Sequence, residues 1–292
     1  MRRASLIYNP KSGSRRHGRI LDAILATFRQ GDFDVEPVPT AGPGEATALA
    51  RTLASSSRDR TLFALGGDGT VREVAAGLLG SPVALGILPG GTVNLMALAL
   101  GLPRDPVDAA AALCRLPPRP LDVGLAGSSP FLMMVSAGLD ARILAALDDD
   151  LKWRFGRVAV ILQGVREWWR YSYPQLELTA DGERLEATFA VVSNIQYYGG
   201  DIRISPGARP DDRQLELVTF RGSGRAATLG FVLEVLRTRH TRRSDVAIRR
   251  VSEVVFPVPA GTAVQVDGDL CHDAPPVRVR LGPEPLLVLA PS

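Results

Sequence analysis

The chain has 292 residues, of which 46% are apolar, so it is long enough to bury a core in one large domain or two smaller ones. Its two cysteines, Cys114 and Cys271, are too few for a disulfide framework or a cysteine-based zinc site. The net charge is only +3, no run approaches the ~18 apolar residues of a membrane span, and the start lacks the apolar core of a signal peptide. These properties predict a globular, cytoplasmic protein.

The first 120 residues alternate short apolar strands with helical patterns. Strands are predicted at 5–8, 33–38, 62–65 and 83–88, and helices at 18–28, 44–53, 71–79, 93–100 and 105–116. This alternation predicts a Rossmann-like α/β domain of three layers, in which a parallel sheet binds ligands at the carboxyl ends of its strands. The prolines of Leu116–Pro120 interrupt the alternation and predict a domain boundary.

Strand-like runs predominate in the rest of the chain. They lie at 130–135, 175–179, 188–193, 214–220, 251–256 and 263–266, and helical patterns lie at 151–171 and 226–239. Asp181-Gly182, between two apolar runs, is typical of a hairpin turn. The second domain is therefore predicted to be a β-sandwich.

Two glycine-rich turns follow neighbouring predicted strands. They are Gly66–Thr70, with the sequence Gly-Gly-Asp-Gly-Thr, and Gly90–Thr92, with the sequence Gly-Gly-Thr. Glycine lets backbone N–H groups approach an anion closely, and a following helix adds partial positive charge. Asn9–Gly13 is either a third such loop or an ordinary turn with a serine cap. None of them fits a Walker A loop or the dinucleotide fingerprint, so the turns predict a phosphate-binding edge of another kind.

Asp68 is an unusual residue for a phosphate-binding turn. A carboxylate is repelled by bound phosphates unless a cation lies between them, so Asp68 indicates Mg²⁺ or a water molecule that ligates it. The alternative is a turn aspartate that accepts hydrogen bonds from its own backbone.

Arginines are concentrated between Arg221 and Arg250, which contains eight of them against Glu234 and Asp245. Such a segment attracts phosphates or an anionic membrane surface, or is simply a solvated face. Nucleic acid is disfavoured because no binding motif accompanies the arginines. The aromatic and arginine-rich helix at 151–171 suits a membrane interface, but its apolar run Val158–Leu162 favours packing between the domains.

The order of the motifs along the chain resembles that of the diacylglycerol kinase catalytic family, which includes sphingosine, ceramide and bacterial lipid kinases. The segments that carry the resemblance are Asn9–Gly13, Gly66–Thr70, Leu88–Asn94, Leu121–Gly124, Ser136–Ala141, Tyr198–Gly200 and Gln265–Asp269. The resemblance implies an ATP-binding domain at 1–122, completed by a return strand at about 283–292, and a lipid-binding β-sandwich at 123–282.

The resemblance also implies transfer of the γ-phosphate of ATP to a lipid hydroxyl, with Mg²⁺ as a second cofactor. ATP would contact Asn9, Pro10, Lys11, Ser12, Gly13, Thr40, Gly66, Gly67, Asp68, Gly69, Thr70, Val71, Arg72 and Thr92. Asp68 and Asp122 would hold a network of Mg²⁺ and water. Asp267 would be the general base, and Asp267→Ala is expected to fold normally and lose activity. Asp269 stands where the family usually has glutamate, so the choice between these two acids stays open.

A structural Mg²⁺ is a further implication of the resemblance. Its ligands would be the Asp212 carboxylate and the backbone carbonyls of Arg209 and Gln214. Arg213 replaces the glycine that is usual after the aspartate and adds a positive charge, so the presence of this metal stays open.

The sequence thus predicts an ATP- and Mg²⁺-dependent lipid kinase that associates peripherally with a membrane. One alternative is an NAD kinase-like enzyme, which would share the Gly66–Thr70 turn but leave Asp267 unexplained. The other is a non-catalytic lipid- or nucleotide-binding module, which would be favoured if the catalytic acid were missing. Neither the lipid nor the oligomeric state, a homodimer included, can be read from the motifs.

Overall fold

The computed structural model describes residues 1–10, 17–56, 60–147, 157–256, 262–273 and 276–291. The chain divides into two compact units. The first comprises Met1–Asp122 and Pro283–Ser292, and the second comprises Val123–Gly282.

The first unit is built on a six-stranded sheet. Its strands are β1 (Arg2–Tyr8), β2 (Phe33–Pro39), β3 (Thr61–Gly66), β4 (Ala84–Pro89), β5 (Pro118–Leu121) and, from the end of the chain, β20 (Leu286–Leu289). The strand order is β2-β1-β3-β4-β20-β5. Neighbouring strands from β2 to β20 run parallel, and β5 is antiparallel to β20. The carboxyl ends of β1 to β4 therefore share one edge of the sheet.

Helices accompany this sheet as the alternation predicts. They are α1 (His17–Gln30), α2 (Glu45–Ser55), α3 (Asp68–Leu78), α4 (Leu95–Ala99) and α5 (Pro106–Leu113). Helix α1 packs against α5, and α2 packs against α3. Strands β3 and β4 are almost wholly buried, which explains their uninterrupted apolar sequences. Phe63 of β3 packs on Phe28 of α1 with ring centroids 4.2 Å apart. The predicted α/β fold is confirmed.

The proline run is not itself a linker between the units. Pro118 and Pro120 lie in β5, which forms the edge of the sheet beyond β20. Proline is tolerated in an edge strand because one side of the strand needs no hydrogen-bond donors. The chain passes into the second unit only after Asp122.

The second unit contains two six-stranded sheets. Its strands are β6 (Gly124–Ala126), β7 (Ser129–Phe131), β8 (Met134–Ala137), β9 (Leu176–Ala180), β10 (Glu183–Ala187), β11 (Phe189–Ser193), β12 (Tyr197–Tyr198), β13 (Ile202–Arg203), β14 (Leu215–Phe220), β15 (Val246–Val251), β16 (Glu253–Phe256), β17 (Val264–Val266), β18 (Asp269–Leu270) and β19 (Val277–Leu281). The sheet orders are β10-β9-β16-β19-β6-β7 and β15-β14-β11-β8-β17-β18, with a separate β12-β13 pair.

Apolar side chains from both of these sheets form one buried cluster. Phe131, Leu178 and Phe256 belong to the first sheet, and Leu217 and Val264 to the second. Along β9 and β19 of the first sheet, buried residues alternate with more exposed ones, whereas β8, β14 and β17 of the second sheet are buried throughout. A core shared by both sheets is the pattern of two sheets that pack face to face. The predicted β-sandwich is confirmed.

The single strand predicted at 130–135 is wrong, because the chain forms two strands, β7 and β8, on different sheets. Between them, the backbone amides of Leu132 and Met133 donate to the carboxylate of Asp267, at 2.7 and 2.9 Å, instead of joining a ladder. These hydrogen bonds to an aspartate more than 130 residues away interrupt the strand between Phe131 and Met134.

Three helices of the second unit bear on its function: α6 (Leu139–Ala145), α7 (Arg157–Arg170) and α8 (Gly224–Leu236). A short 3₁₀ helix (His240–Arg242) follows α8. The first residues of the helix predicted at 151–171 lie outside the described residues. The packing expected of Val158–Leu162 is wrong for Ile161 and Leu162, which are 63% and 67% exposed.

Candidate functional site

The strand register of the first unit brings the expected nucleotide-binding segments to one edge. Tyr8 at the end of β1 pairs with Pro39 of β2 and with Leu65 of β3, and Gly66 pairs with Pro89 of β4. The segments that follow these strand ends are Asn9–Pro10, Thr40, Gly66–Arg72 and Gly90–Thr92. Lys11, Ser12 and Gly13 lie outside the described residues. The resulting edge is lined by turns and by the beginning of α3.

The two glycine turns pack against each other backbone to backbone. The amide of Gly90 donates to the carbonyl oxygen of Gly66 at 2.8 Å, and a Cβ at Gly91 would lie 2.5 Å from the Cα of Gly67. These contacts require glycine whether or not an anion binds. Gly69 differs, because a Cβ there would meet nothing within 4 Å, and the residue is exposed. A side chain added at Gly69 would therefore obstruct a ligand that approaches the backbone there, without disturbing the packing of the two turns.

The carboxylate of Asp68 joins the first glycine turn to the beginning of α4. Oδ2 accepts a hydrogen bond from the amide of Leu95 at 3.0 Å, and Oδ1 accepts one from Met96 at 3.1 Å. Burial raises the pKa of Asp68 above its ordinary value, and the amides of Leu95, Met96 and Asn94 partly offset this rise. Each carboxylate oxygen can accept a second hydrogen bond, so Asp68 can still bind a water ligand of Mg²⁺. Asp68 therefore accepts hydrogen bonds from backbone amides, as in the alternative, but these amides lie at the beginning of α4 and not in its own turn.

The other residues expected to contact ATP differ in exposure. Thr92 is exposed and Arg72 is partly exposed, so a ligand can reach both side chains. Thr40 and Val71 are buried, and the Thr40 amide donates to the carbonyl oxygen of Tyr8 at 2.9 Å. The Thr70 side chain lies against the backbone of Gly66. The buried residues of the set therefore support the backbone of this edge, and their side chains are not exposed to a ligand.

Asp122 is not brought beside Asp68. It follows Leu121, the last residue of β5, which pairs with Leu286 at the beginning of β20. Strand β20 runs parallel to β4, and its Val288 pairs with Leu85 near the beginning of β4. Asp122 therefore lies toward the edge where the parallel strands begin, opposite the glycine turns. Its side chain is buried, at 1% exposure. Because β5 runs antiparallel, the sheet separates the two aspartates that were expected to share one Mg²⁺ network.

Asp267 and Gly268 form the two-residue turn of the β17–β18 hairpin, with φ angles of 51° and 87°. The Asp267 carboxylate accepts three backbone amides. Those of Met133 and Met134 donate to Oδ1, both at 2.9 Å, and that of Leu132 donates to Oδ2 at 2.7 Å. These bonds tie the hairpin to the segment between β7 and β8.

Asp269 begins β18 and pairs across the hairpin with Val266. Its side chain is exposed, whereas Asp267 is only partly exposed. The two acids of the motif are therefore placed differently: one holds the hairpin together, and the other lies where a ligand can reach it.

The second unit also contains an apolar cavity of about 200 Å³, which the sequence reasoning missed. Its walls include Ile143 of α6, Phe189 of β11 and Phe231 of α8, and Val232 and Leu236 of α8 also line it. An apolar concavity of this size suits part of a hydrocarbon chain.

A buried polar cluster borders this cavity. The Asp140 carboxylate accepts hydrogen bonds from the hydroxyls of Ser136 and Tyr198, and the Gln265 side-chain amide donates to Ser136 at 2.8 Å. Burial raises the pKa of Asp140, and burial together with the charge of Asp140 raises the pKa of Tyr198 well above its ordinary value. The signal in the sequence was an acid within the apolar stretch Ser136–Ala141, to which no role was assigned.

The residues expected to hold a structural Mg²⁺ lie beside a guanidinium. A guanidinium nitrogen of Arg250 lies 3.5 Å from Oδ2 of Asp212, and Oδ1 accepts the amide of Gln214 at 3.1 Å. Arg250 also donates to the Gln214 side chain at 2.7 Å. Arg213 adopts the left-handed backbone, with φ of 59°, for which glycine is favoured.

Two family models and several relatives match this chain. The model of the diacylglycerol kinase catalytic domain matches residues 3–126, and that of the YegS C-terminal NAD kinase β-sandwich-like domain matches residues 133–290. A diacylglycerol kinase of Bacillus subtilis is 27% identical over 274 residues, covering 92% of this chain and 90% of the relative. A protein of Chromohalobacter salexigens, named as a YegS-like lipid kinase, is 32% identical over 256 residues, covering 85% and 81%.

The fold has a counterpart among solved structures. A crystal structure from Bacillus anthracis, described as a diacylglycerol kinase, superimposes with a TM-score of 0.84 at 24% identity. The superposition covers 99% of this chain and 95% of the other. Both units therefore have counterparts in one known architecture.

Proposed function

Because the chain belongs to the family of diacylglycerol kinases and YegS-like lipid kinases, we propose that it transfers the γ-phosphoryl group of ATP to a hydroxyl of a membrane lipid. The lipid oxygen forms a bond to the γ-phosphorus, and the bond from that phosphorus to the β–γ bridging oxygen breaks. ADP leaves, and the hydroxyl proton passes to a carboxylate. Such a transfer needs positioning and neutralisation of charge more than covalent chemistry by the protein.

The first unit would bind ATP at the edge formed by the paired glycine turns, and this is the observation that carries the proposal. Gly69 leaves open space at the start of α3, where backbone N–H groups and the helix N-terminus favour phosphate. Thr92 and Arg72 would contact the triphosphate beside it. When bound, Mg²⁺ would neutralise charge on the phosphates, and Asp68 would orient one of its water ligands.

We propose Asp269, rather than Asp267, as the general base of the motif. A base must be reachable by the hydroxyl and must accept a proton readily. Three amide donors already occupy the Asp267 carboxylate, so fewer of its lone pairs are open to a substrate hydroxyl. Asp269 is exposed on the same hairpin, which the three bonds of Asp267 hold in position. Asp267 would then be a positioning residue for Asp269.

The second unit would bind the lipid. Its cavity is lined by aliphatic and aromatic side chains, including Phe220 and Phe231, whose rings stack 4.4 Å apart. Such a lining suits an acyl chain and is unsuited to a polar nucleotide, which disfavours an NAD kinase-like reading. Because the substrate resides in a bilayer, the enzyme would act at the membrane surface.

The test is incubation of the protein with γ-labelled ATP, Mg²⁺ and a total lipid extract, followed by identification of the labelled product. We expect label in a phosphorylated lipid. In parallel, NAD is offered in place of the lipid extract. Label in NAD would establish the NAD kinase alternative, and label in neither acceptor would favour a non-catalytic binding module.

Gly69→Ala is the matched nucleotide-site variant, with Gly42→Ala as its control, because an added Cβ meets nothing within 4 Å at either position. We expect the first variant alone to raise KM for ATP severalfold, with both proteins folded. Equal KM values would remove the Gly69 edge from the proposed site.

A further inference from the structure

Helices α7 and α8 expose two apolar faces. The face on α7 is formed by four side chains, each at least 55% exposed: Ile161, Leu162, Val165 and Trp169. Residues at this spacing lie on one side of a helix, because three or four residues make one turn. Water-exposed apolar faces of this extent mark an interaction surface in a globular protein.

Helix α8 has a corresponding face, formed by Leu229, Val232, Leu233 and Leu236, which are 40% to 56% exposed. The adjoining side of the same helix is buried through Thr228, Phe231 and Val235. This helix is therefore apolar nearly all round, although one side is in water. Such a composition is costly unless another apolar phase covers that side.

The end of α7 is bonded to the beginning of α8. The Trp168 indole donates to the carbonyl oxygen of Arg225 at 3.2 Å, and the Arg225 guanidinium donates to the carbonyl oxygen of Trp169 at 2.6 Å. The same guanidinium lies 4.8 Å from the ring centroid of Trp169. The two apolar faces thus flank a tryptophan–arginine contact of the kind found at the level of lipid headgroups.

Arginines accompany these faces. Arg166 and Arg170 are exposed on α7, while the acid of that segment, Glu167, is buried and paired with Arg142 at 3.1 Å. On α8, Arg225 is exposed, and just beyond its end Arg237 pairs with Glu234. Elsewhere in the basic segment, Arg243 and Arg249 form ion pairs with Asp245 and Glu183. Positive charge beside apolar side chains is complementary to an anionic bilayer.

We propose that the exposed sides of α7 and α8 form a docking face for an anionic phospholipid bilayer, which delivers the lipid to the cavity of the second unit. Val232 and Leu236 belong to both places, since they line the cavity and are 43% and 56% exposed. The docking face is therefore continuous with the wall of the cavity. An acyl chain can pass from the bilayer along α8 without entering water. This inference rests on the proposed lipid kinase function and adds the route of its substrate.

The experiment measures retention of the whole protein by phosphatidylglycerol–phosphatidylcholine vesicles without ATP. Leu162→Ser with Leu229→Ser removes apolar area outside the cavity, and Leu79→Ser changes an exposed leucine of the first unit that is 38% exposed. We expect the double variant to bind vesicles about tenfold more weakly or worse, and the control to bind like the parent. Arg166→Gln with Arg237→Gln should weaken binding at low salt and reduce its salt dependence.

Measuring phosphoryl transfer to the same lipid in vesicles and in detergent micelles distinguishes the docking face from the lipid kinase function on which it rests. The docking face predicts that the leucine double variant loses transfer in vesicles and keeps it in micelles. Unchanged vesicle retention in that variant would overturn the docking face, and so would a shift from dimer to monomer by light scattering, which would make a second copy the occupant. If the parent protein binds vesicles but transfers no phosphoryl group to the lipid in vesicles or in micelles, the kinase function is overturned and the docking face is retained.

Discussion

The edge of the first unit and the β17–β18 hairpin of the second are built in opposite ways. The edge consists of two short segments, each of which follows its own strand, and glycine backbones bring them together. The hairpin depends on one carboxylate that accepts amides from a segment more than 130 residues earlier. Local motifs therefore describe the nucleotide edge well, whereas the roles of the two acids become apparent only from contacts that are distant in sequence.

The largest effect is expected where the hairpin is held. Asp267→Ala removes the acceptor of three amides and should lower the free energy of unfolding by about 3 kcal/mol. This replaces the expectation that the variant folds normally. Urea unfolding measures the change. An unfolding free energy equal to that of the parent would show that the hairpin does not depend on Asp267.

Asp181 offers a matched control for this variant. It occupies the β9–β10 hairpin, also before glycine, and accepts the amides of Ser252 and Glu253 at 2.9 to 3.2 Å. Asp181→Ala should also destabilise the protein while the turnover of folded enzyme stays unchanged. Equal losses of turnover in the two variants would remove any special role from the β17–β18 hairpin.

A smaller effect is expected at the glycine edge, and it separates packing from ligand approach. Gly91→Ala places a Cβ against the backbone of Gly67 and should cost about 2 kcal/mol of stability. Gly69→Ala should leave stability unchanged or slightly raised, because alanine suits the first turn of α3. Thermal unfolding of the pair checks this. Similar melting temperatures for both variants would contradict the packing of the two turns.

A pH-dependent effect is expected from the cluster beside the cavity. Burial raises the pKa of Asp140 in the folded protein, so its contribution to stability is present at acidic pH and is lost as pH rises through the folded pKa. The parent should therefore lose stability relative to Asp140→Asn as pH rises above the usual carboxyl range of about 4. Urea unfolding at several pH values measures this difference. The exposed Asp211→Asn is the control, and a flat difference for Asp140→Asn would contradict the raised pKa.

The smallest effect concerns the expected structural metal. Because the Arg250 guanidinium lies beside the Asp212 carboxylate, EDTA should not change the melting temperature of the ligand-free protein. Arg250→Ala should cost less than about 1 kcal/mol, since the pair is partly exposed. A fall in melting temperature with EDTA, reversed by Mg²⁺, would restore the metal site.

The sequence-based expectations are accurate where a feature depends on local motifs and fail where it depends on contacts between residues distant in the sequence. Alternating apolar strands and helices predict the α/β unit, because each element there is specified by its own residues. Segment 130–135 was misjudged because the amides that leave the ladder are bound by Asp267, which no local pattern shows. The separation of Asp122 from Asp68 depends on the direction of β5, which pairs with a strand from the end of the chain. The exposed apolar face of α7 resembles that of a packed helix in the sequence, because an apolar face that meets lipid and one that meets protein have the same composition.

Turnover of Asp269→Asn, measured beside its urea unfolding curve, tests the central claim most directly. We predict a loss of lipid phosphorylation of about 10² to 10⁴-fold with an unchanged free energy of unfolding, since the exposed carboxylate is proposed to take the proton of the lipid hydroxyl. Near-parental turnover in this variant would contradict the account, and the proton acceptor would then have to be sought elsewhere.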